Sequence, residues 1–181
     1  MEIREETVFK NTIYRGKIIN LRVDIAGLPD GREAVREFVE HNGGVTVAAL
    51  TDDMQLIFVR QFRYPYMEEV LELPAGKLEK GENPLEAGKR ELEEEGGVKA
   101  GQFISLGEFY PTPGYTNEII YLYAARDLVQ VEQNLDEDEF LNVEYIPLSD
   151  AVDMVLTNQI KDGKTQAAVL KLAALIERKA K

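Results

Sequence analysis

A glutamate-rich helix near the middle of the chain restricts the possible folds more than any other feature. Its start is marked by Asn83-Pro84, a capping side chain followed by proline at the first helical position, and its end by Gly96-Gly97. On a helical wheel of about 100° per residue, Leu85, Gly88 and Leu92 fall on one stripe. Because such a stripe must be buried against another element, we expect this helix to cover a sheet.

The glutamates of this helix stand where a helix built only for stability would not place them. Glu91 and Glu95 are four residues apart on the flank of the apolar stripe, and Glu94 lies about 60° from Glu91, where Arg90 can pair with it. Like charges at this spacing cost roughly 0.2–0.5 kcal/mol per pair, and the helix dipole favours cations in the last turn. A hard divalent cation such as Mg²⁺ takes carboxylate oxygens as ligands. The pattern favours a metal site, with a solvated acidic face as the alternative.

The segments around the helix indicate an α/β fold with a mixed sheet between helices. Residues 18–25 and 34–40 predict an antiparallel strand pair joined by the turn at 28–31. We expect residues 1–43 to be an N-terminal strand extension and residues 44–181 to be the main domain. The remaining predicted strands are 45–50, 56–59, 104–109, 119–124 and 143–146, and the remaining predicted helices are 149–156 and 165–178.

Composition excludes several classes of function. The net charge of −12 argues against a nucleic-acid binder, which needs a basic surface. The absence of cysteine excludes disulfides, thiolate zinc sites and cysteine nucleophiles. One histidine, His41, and two serines, Ser105 and Ser149, leave little material for a Ser-His-Asp triad. Since no apolar run is long enough to span a membrane and the N-terminus lacks a signal-peptide segment, we expect a cytoplasmic protein.

The spacing of residues around the helix matches a known motif over its whole length. The pattern is glycine, five residues, glutamate, seven residues, then Arg-Glu-aliphatic-any-Glu-Glu-any-Gly-aliphatic. The chain meets it without a gap at Gly76, Glu82, Arg90, Glu91, Leu92, Glu94, Glu95, Gly97 and Val98. The chain therefore resembles the Nudix hydrolases, and this resemblance implies an α/β/α sandwich whose loop-helix-loop segment holds a divalent metal.

The resemblance also implies a set of metal ligands. Glu91 and Glu95 match the main ligands, Glu94 lies beside them, and the carbonyl of Ala75 contributes a further oxygen. The implied cofactor is Mg²⁺, with Mn²⁺ as a possible substitute. Gly96 fills a position that is often threonine in the family.

Flanking segments resemble the ADP-ribose pyrophosphatase branch of the family. These segments are residues 35–41, 59–63, 72–76 and 113–118. The branch implies hydrolysis of ADP-ribose to AMP and ribose 5-phosphate, and a homodimer in which N-terminal strands pack against the second subunit and help to complete its substrate site. Asn117 departs from the branch, which more often has aspartate there.

Branch residues with a catalytic or binding role can be carried over one by one. A glutamate on a late loop positions or deprotonates the attacking water, and it matches Glu139, with Glu137 as the alternative in the same acidic segment. Glu94, beside the metal ligands, is a further catalytic candidate. Arg63 is the candidate for contact with a phosphate, because a guanidinium suits bidentate phosphate contact. Arg36 and Glu118 complete the candidate substrate contacts.

Three alternatives remain open from the sequence. A different nucleotide sugar, linked to GDP or UDP, is the nearest one, because the residues that read base and sugar lie on loops. A Nudix-fold ligand sensor would bind without cleaving, although it would not need the full set of glutamates. A protein-interaction module with an acidic interface is supported only by the net charge.

Overall fold

The computed structural model describes residues 3–137 and 139–179. Asp138, which belongs to the predicted acidic segment, lies outside the described residues, as do Met1, Glu2, Ala180 and Lys181. The described residues form strands β1 (Glu6–Phe9), β2 (Thr12–Arg15), β3 (Asn20–Gly27), β4 (Glu33–Glu40), β5 (Gly44–Ala49), β6 (Gln55–Arg63), β7 (Glu68–Glu72), β8 (Ala75–Lys77), β9 (Val98–Phe109), β10 (Ile120–Gln130) and β11 (Leu141–Pro147), and helices α1 (Pro84–Glu94), α2 (Leu148–Leu156) and α3 (Gly163–Lys179).

The chain divides into two compact units, and the first contains residues up to 43 together with 110–119. Its centre is β3, which pairs along its whole length with β4. The other edge of β3 is shared by β1 and β2, each antiparallel to it. The predicted strand pair is therefore present, and it carries two further short strands.

Residues 110–119 join the first unit through main-chain contacts with the end of β4. Val39 N donates to the Tyr115 carbonyl at 2.7 Å, and Asn117 N donates to the Val39 carbonyl at 3.3 Å. The Asn117 side-chain oxygen in turn accepts from His41 N at 2.9 Å. Residues 113–118, which resemble the ADP-ribose pyrophosphatase branch, therefore lie beside the end of β4 in this unit.

The second unit is built on a mixed four-stranded sheet in the order β8-β5-β10-β9. β5 and β10 are parallel, whereas β8 pairs antiparallel with β5, and β9 pairs antiparallel with β10. A three-stranded antiparallel sheet in the order β11-β6-β7 accompanies it. The mixed sheet confirms the predicted α/β class.

Helices cover both faces of the mixed sheet. Alternate side chains of β5 point to opposite faces: Val45 and Val47 belong to the core cluster that includes α1, and Ala48 belongs to the cluster that includes α2 and α3. Every residue of β5 is buried. The result is the α/β/α sandwich that the sequence predicted. No helix among the described residues is long and apolar enough to cross a bilayer.

The glutamate-rich helix begins and ends close to the predicted positions. The Asn83 side chain accepts from Leu85 N at 2.9 Å and from Glu86 N at 3.4 Å, and so caps the first turn. Gly97 adopts a left-handed conformation with φ of +62° just beyond the helix. The helix is therefore fixed in length by its own sequence, which sets where its last glutamates lie.

Candidate metal centre

Helix α1 and the residue that caps its C-terminal end place two glutamates in the interior of the second unit. Glu91 is 7% exposed and Glu95, one turn later, is 3% exposed. Ala87 and Leu92 bury the apolar side of the same helix. Because Glu91 and Glu95 flank this apolar side, packing the helix on the sheet also removes their carboxylates from water.

A short loop after β7 lies against this glutamate pair. Ala75 N donates to Glu95 Oε2 at 2.8 Å. The Pro74 carbonyl accepts from Val47 N at 2.9 Å and from Thr46 Oγ1 at 3.1 Å. Residues 72–75, from the last residue of β7 to the first residue of β8, are thus attached both to β5 and to Glu95 at the end of α1, and we call this segment the ligand loop.

Gly76 leaves the space that the Glu91 carboxylate fills. A Cβ atom at position 76 would lie 1.8 Å from Glu91 Oε1 and 1.9 Å from its carboxyl carbon. No side chain other than hydrogen fits there while Glu91 keeps this position. A glycine at position 76, the start of the motif, is therefore required for the Glu91 carboxylate to lie against this part of the chain.

Burial makes the two carboxylates hard to ionise in the absence of a cation. It raises the pKa of Glu91 to about 7 and that of Glu95 to about 8. Neighbouring carboxylates, Glu139 among them, contribute to these raised pKa values, and Arg90 partly opposes the rise at Glu91. The centre therefore concentrates negative charge that a bound cation would stabilise.

Arg90 is the arginine that contacts the glutamates of the helix. Its Nη1 lies 2.8 Å from Glu91 Oε1 and 2.9 Å from Glu94 Oε2, and its Nε lies 3.2 Å from Glu82 Oε1. The Arg90–Glu94 pair expected from the helical spacing is present. The link to Glu82, eight residues earlier, also fixes the loop that precedes α1.

The two candidate bases differ in their surroundings. Glu139 is half-buried, and its charge acts on both Glu91 and Glu95. Its backbone N donates to the Asp136 carbonyl at 3.0 Å, which closes a turn in the acidic segment. Glu137 is exposed.

Arg63 lies at the end of β6 and forms a bidentate pair with a buried carboxylate. Its Nε and Nη2 lie 2.6 Å and 2.8 Å from the two oxygens of Glu72, which is 2% exposed. Lys164 pairs with the same carboxylate. Burial raises the pKa of Glu72, yet the two cations hold it below its ordinary value.

A cavity of about 420 Å³ opens beside this trio within the second unit. Its volume falls in the range of small-molecule sites. Charged residues of both signs line it, together with apolar ones: Arg63, Glu68, Glu72, Lys161, Asp162, Lys164, Pro65 and Val70.

The two remaining candidate substrate residues belong to the first unit. Arg36 forms a bidentate pair with Glu5, with contacts of 2.6 and 2.9 Å. Glu118 Oε1 lies 3.4 Å from His41 Nδ1. His41 also accepts from Gly43 N at 3.0 Å, so it supports the turn that ends β4.

The donor set suits a hard divalent cation that keeps water ligands. Among residues 3–137 and 139–179, no group of three His, Cys, Asp or Glu side chains could hold a metal ion by itself. Mg²⁺ is usually held by one or two carboxylates together with waters and substrate phosphates. Glu91 and Glu95, buried beside a loop that carries main-chain carbonyls, fit that kind of binding.

Three residues that support the ligand loop were not found from the sequence. Thr46 lies in a strand predicted only as buried, and Lys164 and Thr165 lie more than 90 positions after the residues they contact. Of these three residues, only Thr165 has a recognisable position in the sequence pattern, at the predicted start of the last helix. It indicated a helix terminus and nothing about the loop.

Comparison with known proteins assigns the family of this arrangement. The NUDIX domain profile matches residues 40–169. The ADP-ribose pyrophosphatase of Bacillus subtilis (strain 168) is 42% identical over 169 residues, which are 92% of this chain and 91% of that protein. The methanol dehydrogenase activator of Bacillus methanolicus is 41% identical over 167 residues, covering 91% of this chain and 90% of that protein.

A solved structure shows the same fold at low sequence identity. The crystal structure of an ADP compounds hydrolase superposes with a TM-score of 0.86 and covers 99% of this chain and 98% of its own. At 21% identity the likeness concerns the fold alone.

Proposed function

The chain belongs to the Nudix family, and from that premise we propose that it hydrolyses the pyrophosphate bond of ADP-ribose to AMP and ribose 5-phosphate. The observation that carries this proposal is the buried pair Glu91 and Glu95 beside the ligand loop. The high identity to an ADP-ribose pyrophosphatase over nearly the whole chain supports the choice of substrate.

The proposed cofactor is Mg²⁺, with Mn²⁺ as a substitute. Glu91, Glu95 and the Ala75 carbonyl would hold it, and Glu94 would lie beside them. A bound divalent cation neutralises charge on pyrophosphate oxygens and makes a bound water more acidic. Burial of Glu91 and Glu95 would strengthen their attraction for a cation, because charges interact more strongly away from bulk water.

Glu139 is the proposed base, with Glu137 as the alternative. Glu139 would accept the proton of the attacking water, whose oxygen forms the new bond to phosphorus while the bridging P–O bond breaks. Its half-burial and its charge coupling to Glu91 and Glu95 support this choice over the exposed Glu137.

Arg63 is the proposed phosphate contact, and Arg36 and Glu118 are proposed to contact the nucleotide. Arg63 has a fixed planar orientation because of its bidentate pair with Glu72, and it lines a cavity of suitable volume. A guanidinium held in this way loses little freedom when it binds an anion.

Hydrolysis of a small panel of nucleotides tests this proposal. The panel contains ADP-ribose, GDP-mannose, UDP-glucose, a dinucleoside polyphosphate, NADH and 8-oxo-dGTP, each with Mg²⁺ and with Mn²⁺. ADP-ribose should give the highest kcat/KM. Arg63→Ala should lower that value, whereas Arg60→Ala, on the same strand and paired with Glu144, should not. A tenfold preference for GDP-mannose or a triphosphate would contradict the substrate and leave the family unaffected.

Activation of a methanol dehydrogenase is a second candidate function. It is favoured by an identity of 41% to the Bacillus methanolicus protein, close to that of the pyrophosphatase. Alcohol oxidation by a methanol dehydrogenase, measured with and without this chain, tests it. An unchanged rate would leave ADP-ribose hydrolysis as the proposed function.

We further propose a cytoplasmic homodimer in which residues 1–43 form the dimerisation extension and residues 44–181 the catalytic domain. The lack of cysteine is consistent with a reducing compartment. The exposed apolar side chains of β1 and β2 support an interface in this segment, among them Val8, Phe9 and Ile13 at 56–60% exposure.

A further inference from the structure

We propose that Thr165 and Lys164, in the first turn of α3, are positioning residues that hold the ligand loop against the glutamate pair and thereby set the metal affinity. This inference rests on the proposed metal site and concerns residues outside the Nudix box. Neither residue is expected to contact the metal.

Thr165 is joined to the ligand loop by a buried hydrogen bond. Leu73 N donates to Thr165 Oγ1 at 2.9 Å, and both residues are 0% exposed. A buried main-chain N–H that loses its acceptor is costly, because water cannot replace the bond. Removal of this hydroxyl should therefore shift Leu73, and with it Ala75 two residues later.

Lys164 fixes the preceding residue of the same loop. It pairs with the Glu72 carboxylate, which is 2% exposed, and also lies 3.0 Å from Asp162. Arg63, the last residue of β6, also pairs with Glu72. Without Lys164, Glu72 would keep only its pair with Arg63. Lys164→Met should therefore loosen the loop on the α3 side without unfolding the unit.

The first turn of α3 is itself held in one position. Thr165 N donates to Asp162 Oδ2 at 3.0 Å, and Gln166 Nε2 donates to the Ile160 carbonyl at 2.7 Å. Because the first turn of α3 is fixed by these hydrogen bonds, Thr165 presents its hydroxyl to Leu73 of the loop in a defined position.

On its other side the loop meets the proposed metal ligands. Ala75 N binds Glu95, and Pro74 is attached to β5 through Thr46 and Val47. Consecutive residues of the loop are therefore held by different elements. Because outer partners of metal ligands orient those ligands, a change at α3 should reach the metal site through Leu73 and Pro74.

Mn²⁺ binding to the full-length protein in the absence of substrate tests the inference. Free Mn²⁺ is counted by electron paramagnetic resonance during titration of the wild type, Thr165→Val, Thr165→Ser and Lys164→Met. Thr165→Val and Lys164→Met should each weaken Mn²⁺ binding by about tenfold. Thr165→Ser should restore it, since serine keeps the hydroxyl acceptor.

A matched control separates positioning from a general loss of stability. Val169→Ala lies in the same helix and should lower Tm by creating a small cavity, with Mn²⁺ affinity unchanged. Unchanged Mn²⁺ affinity in both Thr165→Val and Lys164→Met would overturn this inference alone. A wild type that binds no Mn²⁺ would overturn the proposed metal site and this inference together.

Discussion

At the scale of single residues, the proposed metal centre depends on the glycine at position 76 and on two buried glutamates, Glu91 and Glu95. Gly76 admits the Glu91 carboxylate, and Glu95 lies within hydrogen-bonding distance of the ligand loop. In the proposed metal site these positions would stabilise a cation-bound state, whereas in the metal-free state burial opposes ionisation of both glutamates. Stability and metal binding should therefore respond to mutation in opposite directions.

Glu95→Gln should remove activity and stabilise the metal-free protein. Turnover should fall by several orders of magnitude. The pKa of Glu95 is raised from 4.5 to about 8 in the folded state, so the folded protein holds a proton that the unfolded chain has released. The contribution of Glu95 to stability in EDTA should therefore be complete below pH 4.5 and be lost as the pH rises toward 8.

Thermal unfolding in EDTA at pH 5 and pH 8 measures this effect. Because a glutamine side chain does not titrate, the variant should exceed the wild type in Tm at pH 8, and the difference should shrink at pH 5. Added Mg²⁺ should raise the Tm of the wild type and not that of the variant. Full activity in the variant, or wild-type activity in EDTA, would contradict the metal site.

Gly76→Ala should abolish activity through Glu91. The added Cβ would lie 1.8 Å from Glu91 Oε1, so the carboxylate must leave its position. Mn²⁺ binding and turnover measure the result. Gly27→Ala is the matched control, because its Cβ would meet nothing closer than Val8 Cγ2 at 3.4 Å. Equal activity in the two variants would contradict the role assigned to Gly76.

At the scale of secondary-structure elements, α1 is held in place by its cap and carries no basic residue in its last turn. Asn83→Ala removes two capping contacts and should cost about 1 kcal/mol. For a chain of this length the Tm should fall by about 2–4 °C. Asn83→Asp should restore it, whereas an unchanged Tm in Asn83→Ala would show that packing alone fixes the helix start.

The elements that sequence reasoning found are those with a strong local pattern. The helix α1, the buried strand β5 and the pair β3–β4 each carry caps, an apolar run or a turn. β1 and β2 were not predicted because all their residues are exposed and show no apolar alternation. β9 begins at Val98, earlier than the predicted range, because Lys99, Gly101 and Gln102 weaken the apolar pattern of residues 98–103.

The same limit applies to the candidate site. The motif predicted Glu91, Glu95 and Gly76 because their spacing is local, and a helix turns local spacing into proximity. Thr165 and Lys164 contact the ligand loop through tertiary packing, and nothing in their own neighbourhood of the sequence indicates it. Local spacing therefore predicts the carboxylates and leaves out the residues that support the loop beside them.

At the scale of the whole molecule, the predicted homodimer is tested by sedimentation equilibrium. The result should be about twice the chain mass, because exposed apolar residues of β1 and β2 favour a partner surface. Deleting the first forty or so residues should lower both association and activity. A monomer that keeps full activity at nanomolar concentration would contradict the prediction and make the Arg36–Glu5 pair an ordinary surface contact.

The hydrogen bond between Leu73 and Thr165 joins residues 92 positions apart, and this separation has a consequence during protein synthesis. At about 5–20 residues per second, the ribosome adds Thr165 roughly 5–20 s after Leu73. During that interval the nascent chain already carries the glutamates of α1 but lacks the partner of the Leu73 amide. On the proposed metal site, the ligand loop should therefore reach its full metal affinity only after α3 has emerged, and a chain released before that point should bind the cation more weakly.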